Sequence, residues 1–216
     1  MAMASLAETR DNETGNHIRR TQNYVQALAI QLRDEGKFPE NLSDKNIEIL
    51  YKSAPLHDIG KVGIPDHILL KPGKLTPEEF EIMKTHAKLG GDAIMASEQL
   101  LESPDSFLQC AREIAYSHQE KWDGSGYPEG LKAEQIPVSA RLMAIADVYD
   151  ALISRRVYKE PMPHEKAVEI IRQGRGSHFD PEMLDTFLAI DTVFYSIAHR
   201  YSDSAEDVQA KARTPG

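Results

Sequence analysis

Apolar positions recur at helical spacing along almost the whole of this chain. Between Thr14 and Arg33, Ile18, Val25, Leu28 and Leu32 mark one helix face. Ser43 or Asp44 caps a second helix, whose stripe runs through Ile47, Leu50 and Ala54 to His57. Gly60 and Gly63 interrupt that pattern, Pro65 begins an irregular stretch, and Lys71-Pro72-Gly73 reads as a turn. Thr76-Pro77-Glu78-Glu79 is a strong start signal, with a hydroxyl for the N-cap, proline at the first helical position and a glutamate to close a capping box. Gly90-Gly91 is expected to break or tighten the helix that follows. Ser103-Pro104 opens another, carrying Phe107, Ala111 and Ile114. Trp122 to Pro128 holds turn residues and reads as a loop, whereas Val138 to Ser154 is nearly all apolar and reads as a buried helix. Asp180-Pro181 caps the last long helix, through Leu184, Phe187 and Leu188. The chain shows no repeat, no defensible strand alternation and no second domain. The expected fold is all-α, a single helical bundle. Residues 1–12 read as a linker or an expression-derived start, 13–201 as the folded domain and 202–216 as a polar, frayed tail.

Composition narrows the function. The 216 residues include 41% apolar and 27% charged side chains, an ordinary globular balance with room for one sizeable core. The formal net charge of -9 disfavours polymeric nucleic acid and anionic membranes as partners, since both ask for a basic footprint. A small anionic substrate is still compatible, because a cation-bearing pocket can sit inside an acidic protein. Cys110 is the single cysteine, so no intrachain disulfide forms and a cytoplasmic, reducing setting is expected. Beside Phe107, Ala111 and Ile114 it reads as core packing. No apolar run reaches the length of a membrane span, and Met1 to Ser5 lack the character of a signal peptide.

The candidate chemistry starts at His57-Asp58. An imidazole and a carboxylate side by side at the end of an apolar helix offer a nitrogen and an oxygen donor, and one carboxylate can bridge two metal ions, as a binuclear hydrolase requires. Glu13 and His17, one helical turn apart, share a face that continues through Thr21, Tyr24 and Leu28. His86 lies one turn from Ile82 and Met83, and His118 extends the stripe of Ala111 and Ile114. Asp147 sits in a buried helix, where an ionised carboxylate is costly unless paired or metal-bound. Asp150, one turn on, competes with it on pattern alone. Any one of these histidines by itself is more often a hydrogen-bonded core residue than a ligand. Inward-facing His or Asp on five separate helices is a much less common accident.

These residues carry a resemblance. The run His57-Asp58-Ile59-Gly60-Lys61-Val62-Gly63-Ile64-Pro65-Asp66, then Lys71-Pro72-Gly73-Lys74-Leu75, then His118 to Pro128 ending in Gly126-Tyr127-Pro128, resembles an HD-GYP domain, a branch of the HD metal-dependent phosphohydrolases. Ala146 to Leu152, Arg156, Tyr158, Lys159 and Phe179-Asp180-Pro181 match as well, so the likeness runs from about Glu13 to Phe187. It implies a helical bundle of the HD type with a buried metal site. The implied activity is a phosphodiesterase that linearises cyclic di-GMP, in some members continuing to GMP.

By the same resemblance His17, His57, Asp58, His86, His118 and Asp147 are metal ligands, Asp58 bridges, and Glu13 helps to hold a third ion in some members. Asp58 and Lys61 are the implied catalytic pair. Lys61, Arg156 and Lys159 are implied to contact substrate, with Tyr127 walling the site. Iron or manganese suits the mixed donor set, and zinc or nickel is compatible with it. The Gly126-Tyr127-Pro128 loop is an implied contact for GGDEF domains, and a receiver domain often precedes this domain. One departure stands out: the family usually has a second histidine where this chain has Gln119, which puts one of the ions in doubt. His67, His164, His178 and His199 match no ligand position and read as structural or solvated. Two rival readings stay open. One is hydrolysis of another cyclic dinucleotide such as cyclic GMP-AMP; the other is a degenerate module that binds a dinucleotide or partner without turnover.

Overall fold

The computed structural model describes residues 15–101, 103–154 and 161–203. Among them the chain is helical, with no strand and one isolated bridge between Arg175 and Phe179. The longer helices are α1 (Gly15–Asp34), α2 (Asp44–Ser53), α4 (Pro77–Glu98), α5 (Ser106–Ser117) and α6 (Val138–Ile153). A short α3 (Asp66–Leu69) precedes α4, while α7 (His164–Gln173), α8 (Pro181–Ala189) and α9 (Asp191–Arg200) complete the chain.

Local chemistry sets the boundaries. Ser43 caps α2, its hydroxyl accepting from the Asn46 N–H. The helix does not run on to His57 as expected. It tightens after Ser53 into a 3-10 turn, Ala54–Leu56, with Pro55 in its first positions. Proline has no N–H to give the preceding turn, so the α ladder ends there. The capping box of Thr76 and Glu79 forms in full at the start of α4. The cap of α5 is Asp105 rather than Ser103, because the Asp105 carboxylate accepts from both Phe107 and Leu108.

Two further expectations are corrected. Gly90-Gly91 does not break α4, which is continuous through both. These glycines buy close approach: a Cβ on Gly91 would meet the Tyr116 side chain at 2.4 Å, and one on Gly90 would meet Gly60 N at 3.2 Å. The helix capped by Asp180 is not the last, since α9 follows directly. There Phe194 is fully buried, stacked on Tyr24 with centroids 4.7 Å apart and edge-on to Phe187 at 4.8 Å.

The main core joins α1, α2 and α6 to α8 and α9 through Tyr24, Leu28, Leu50, Leu142, Phe187 and Phe194. Cys110 is partly buried at its margin, as expected, and burial pushes its thiol up to about 12. A smaller cluster joins Ile18 of α1 and Leu56 of the 3-10 turn to Ile94 of α4 and to Ala111 and Ala115 of α5. No described helix is long and apolar enough to cross a membrane.

Candidate metal centre

Between the two clusters, six of the residues singled out from sequence come together. They form two groups, His17 with His57 and Asp147, and Asp58 with His86 and His118; within each, one donor atom per residue lies within 4.8 Å of the others. The first group draws on α1, the 3-10 turn before His57, and α6. The second draws on Asp58 and on α4 and α5.

The histidines share one orientation. His57 Nδ1 donates to Ala54 O at 3.0 Å, His86 Nδ1 to Met83 O at 2.8 Å and His118 Nδ1 to Ile114 O at 3.0 Å. His17 Nδ1 donates instead to the Asp150 carboxylate at 2.9 Å. With each Nδ1 carrying the proton, each Nε2 presents a lone pair inward, the tautomer in which imidazole binds metal.

Asp58 stands between the groups. Its Oδ2 lies 3.2 Å from His57 Nε2 and 2.7 Å from Lys61 Nζ, and its Oδ1 lies 3.3 Å from His86 Nε2 and 3.6 Å from His118 Nε2. Asp58 Oδ1, His86 Nε2 and His118 Nε2 are all buried without a hydrogen-bond partner. Three such atoms aimed at one point, all electron-rich, fit a cation and fit nothing neutral that the described chain supplies. Burial works against ionisation of Asp58, but the charge of Lys61 and the contacts of His57 and His118 hold its carboxyl well below the usual range. His86 is pushed down to about 4 by burial, against the opposing charge of Asp58 and with the help of His118 and Lys61.

Backbone contact fixes the spacing of the second group. Gly60, two residues beyond Asp58, lies against α4 so closely that a Cβ would sit 1.9 Å from His86 O and 2.5 Å from Gly90 N. A side chain here would drive Asp58 and His86 apart.

Asp147 and Asp150 divide their roles differently from the burial argument made on sequence. Asp147 is the more exposed, its side chain 18% accessible, with Oδ1 3.9 Å from His57 Nε2. Asp150 is the fully buried one, and it is compensated by Arg20 and His17. That network went unread in the sequence, although Arg20 follows His17 by about one turn on α1.

Tyr127 flanks the second group, its ring edge-on to His86 with centroids 6.2 Å apart, and Lys84 Nζ lies 5.9 Å from the ring centre. The Tyr127-Pro128 peptide is cis. The loop is held by Glu120, another residue sequence reading passed over. Its buried carboxylate accepts from the N–H groups of Glu129, Gly130 and Leu131 at 2.8, 3.1 and 3.0 Å. Gln119 is partly buried and its carbonyl accepts from Tyr127 N at 3.2 Å. Glu13, Arg156 and Lys159 lie outside the described residues. Of the histidines set aside, His164 bonds to the Tyr149 hydroxyl at 2.8 Å, and His178 stacks on Phe179 at 4.2 Å.

Residues 2–183 match the family model for the HD domain. Two proteins of Vibrio cholerae serotype O1, named "Probable cyclic di-GMP phosphodiesterase" and "Cyclic di-GMP phosphodiesterase", are 60% and 56% identical over 94% and 95% of this chain. The chain spans 46% and 42% of their lengths, so these relatives are about twice its size. A solved structure of a cyclic GMP-AMP specific phosphodiesterase from V. cholerae shares the fold, with a TM-score of 0.60 at 20% identity over all of this chain and 53% of its own. The matched span takes in both the His57-Asp58 pair and the Gly126-Tyr127-Pro128 loop, and the chain belongs to the HD domain family, in its HD-GYP branch.

Proposed function

We propose that this domain is a metal-dependent phosphodiesterase that opens a cyclic dinucleotide, cyclic di-GMP, by adding water across a P–O bond. The observation that carries the reading is the placement of Asp58, with one carboxylate oxygen toward each histidine group. In this reading His17, His57 and Asp147 would hold one divalent cation, His86 and His118 would hold a second, and Asp58 would be shared between them. Iron or manganese suits these donors. Such a pair, when bound, supplies a hydroxide at neutral pH and screens the phosphate charge.

The chain's own residues do the remaining work. Asp58 stays ionised, so it can bridge. Lys61, anchored on Asp58, holds a compact positive charge at the edge of the site, where a phosphate oxygen would come to rest. Tyr127 closes the side next to His86 with an apolar face and restricts water. The identity of two relatives named for cyclic di-GMP supports that substrate over cyclic GMP-AMP. Arg156 and Lys159 are proposed to reach the phosphates and the guanine end, and Glu13 to help hold a third ion. The Gly126-Tyr127-Pro128 loop is a proposed contact for a GGDEF domain.

Metal-reconstituted turnover of cyclic di-GMP and of cyclic GMP-AMP, with products resolved, tests the proposal. Linear dinucleotide from cyclic di-GMP is expected, formed faster than from cyclic GMP-AMP. Tight binding without turnover by the metal-loaded protein would instead support the module reading, for which Gln119 is the motive.

A further inference from the structure

Of the four histidines in the centre, three lean on neutral backbone carbonyls and one, His17, leans on a carboxylate. That carboxylate is itself clamped. Asp150 Oδ1 accepts from Arg20 Nε at 2.6 Å, and Oδ2 accepts from Arg20 Nη2 at 3.0 Å and from Ser154 Oγ at 3.0 Å. The remaining arm of the guanidinium donates to Tyr201 O at 2.9 Å and to Asp203 at 3.1 Å, at the end of α9. Asp150 and Arg20 are both almost wholly buried, with side chains 1% and 3% accessible. The arrangement is therefore rigid, and it joins α1, α6 and the end of α9 behind a single imidazole.

We infer that Asp150, held by Arg20, is a positioning residue for His17 and makes the two metal groups unequal: His17, His57 and Asp147 take the first ion, and Asp58, His86 and His118 take the second. The inference rests on the metal-binding part of the proposed function. A carboxylate behind a metal-ligating imidazole fixes its tautomer and raises the electron density at the ligating nitrogen; a backbone carbonyl fixes the tautomer but brings no charge. Arg20 keeps Asp150 aimed, because its planar fork engages both oxygens. Among the described residues the second group has no such backing for either imidazole. Its partnerless Nε2 atoms are set only by the helix carbonyls one turn earlier.

Zinc alone, added to the metal-free chain, tests this without substrate. With 15N-labelled histidine, the ring signals of His17 and His57 are expected to move with the first equivalent and those of His86 and His118 with the second. A reversed or even order overturns the inference while leaving the metal-binding reading in place; no binding at all overturns both. Asp150→Asn gives the second arm. It should weaken the tighter step of the zinc isotherm by about 10- to 100-fold and leave the weaker step unmoved. Arg20→Lys keeps the charge but loses the fork, and should shift the same step in the same direction by less. If both steps weaken together in folded variants, Asp150 is merely structural and the inference fails. The labelled wild-type titration decides the question if Asp150→Asn does not fold.

Discussion

The Nε2 atoms of His17 and His57 face each other at 3.3 Å, and each ring has its Nδ1 already engaged. Two lone pairs at that distance repel unless a proton or a cation lies between them. Burial favours the neutral form of His57, yet the Asp58 and Asp147 carboxylates outweigh it and raise its pKa. Proton and metal therefore compete for one place. Zinc binding should release protons when His57 is charged, and apparent affinity should fall as pH drops below the raised His57 pKa. Calorimetry in buffers of different ionisation enthalpy would reveal the release; a pH-independent affinity between about pH 5 and 7 would contradict it.

Asp58 and Lys61 should separate on mutation, even though they touch at 2.7 Å. Asp58→Ala removes the charge shared by both groups, and both turnover and metal content should drop to background. Lys61→Ala leaves every proposed ligand in place. It should cost roughly 10²–10³-fold in kcat, the scale of one lost electrostatic contact to the transition state, with metal content largely intact. Metal analysis beside steady-state kinetics checks both. Metal loss in the Lys61 variant would mean that its charge holds Asp58 in place rather than acting on phosphate.

Gly60→Ala should be among the most damaging small substitutions in the domain. Its methyl would overlap His86 O and Gly90 N, both backbone atoms that cannot rotate away. Overpacking of this kind costs on the order of 3 kcal/mol. The melting temperature should fall by roughly 10 °C, as judged for a chain of this size. Metal in the second group should weaken too, because His86 must shift. An unchanged melt would show that the contact relaxes at little cost.

The metal-free protein should lose stability as pH falls from about 6.5 to about 4. His178, buried against Phe179 and repelled by Lys121, is pushed down to about 4, and burial does the same to His86. The unfolded chain binds protons at these sites from about pH 6.5 downward while the folded chain does not, so acid favours unfolding across that window. Below about pH 4 both states are protonated at these sites and the dependence flattens. His178→Gln should flatten part of the slope in denaturant melts; an identical slope would place the titration elsewhere.

Gln119→His puts a nitrogen donor where the family usually has one. If position 119 faces the metals, the variant should hold more metal per chain and reach full activity at lower added metal, since imidazole binds these cations better than an amide oxygen does. Matching stoichiometry and titration curves for the two forms would mean that the wild-type glutamine is harmless.

Much of the centre was legible because its ligands obey helical spacing: His17 extends the stripe of Thr21 and Tyr24, and His118 that of Ala111 and Ile114. The Thr76 capping box was legible for the same local reason. What escaped was long-range. Whether Gly90 and Gly91 break a helix or admit a neighbour depends on Gly60 and Tyr116, which no window around position 90 contains. Asp147 and Asp150 look alike in sequence, and only Arg20, 130 residues away, distinguishes them by burying and compensating the second. The α7 and α9 helices were passed over because each is only ten residues long, and α9 buries a single side chain, Phe194.

The proposed ligand groups straddle a seam in the molecule. One stands over the large apolar cluster. The other draws on Asp58 and on α4 and α5, which meet α1 and the 3-10 turn through the small cluster of Ile18, Leu56, Ile94, Ala111 and Ala115. Cations in both groups would fasten the seam like a buckle across two straps, adding folding free energy that grows with the logarithm of free metal. A domain built this way would be most open to proteolysis when starved of metal, and metal supply would then govern its lifetime as well as its rate.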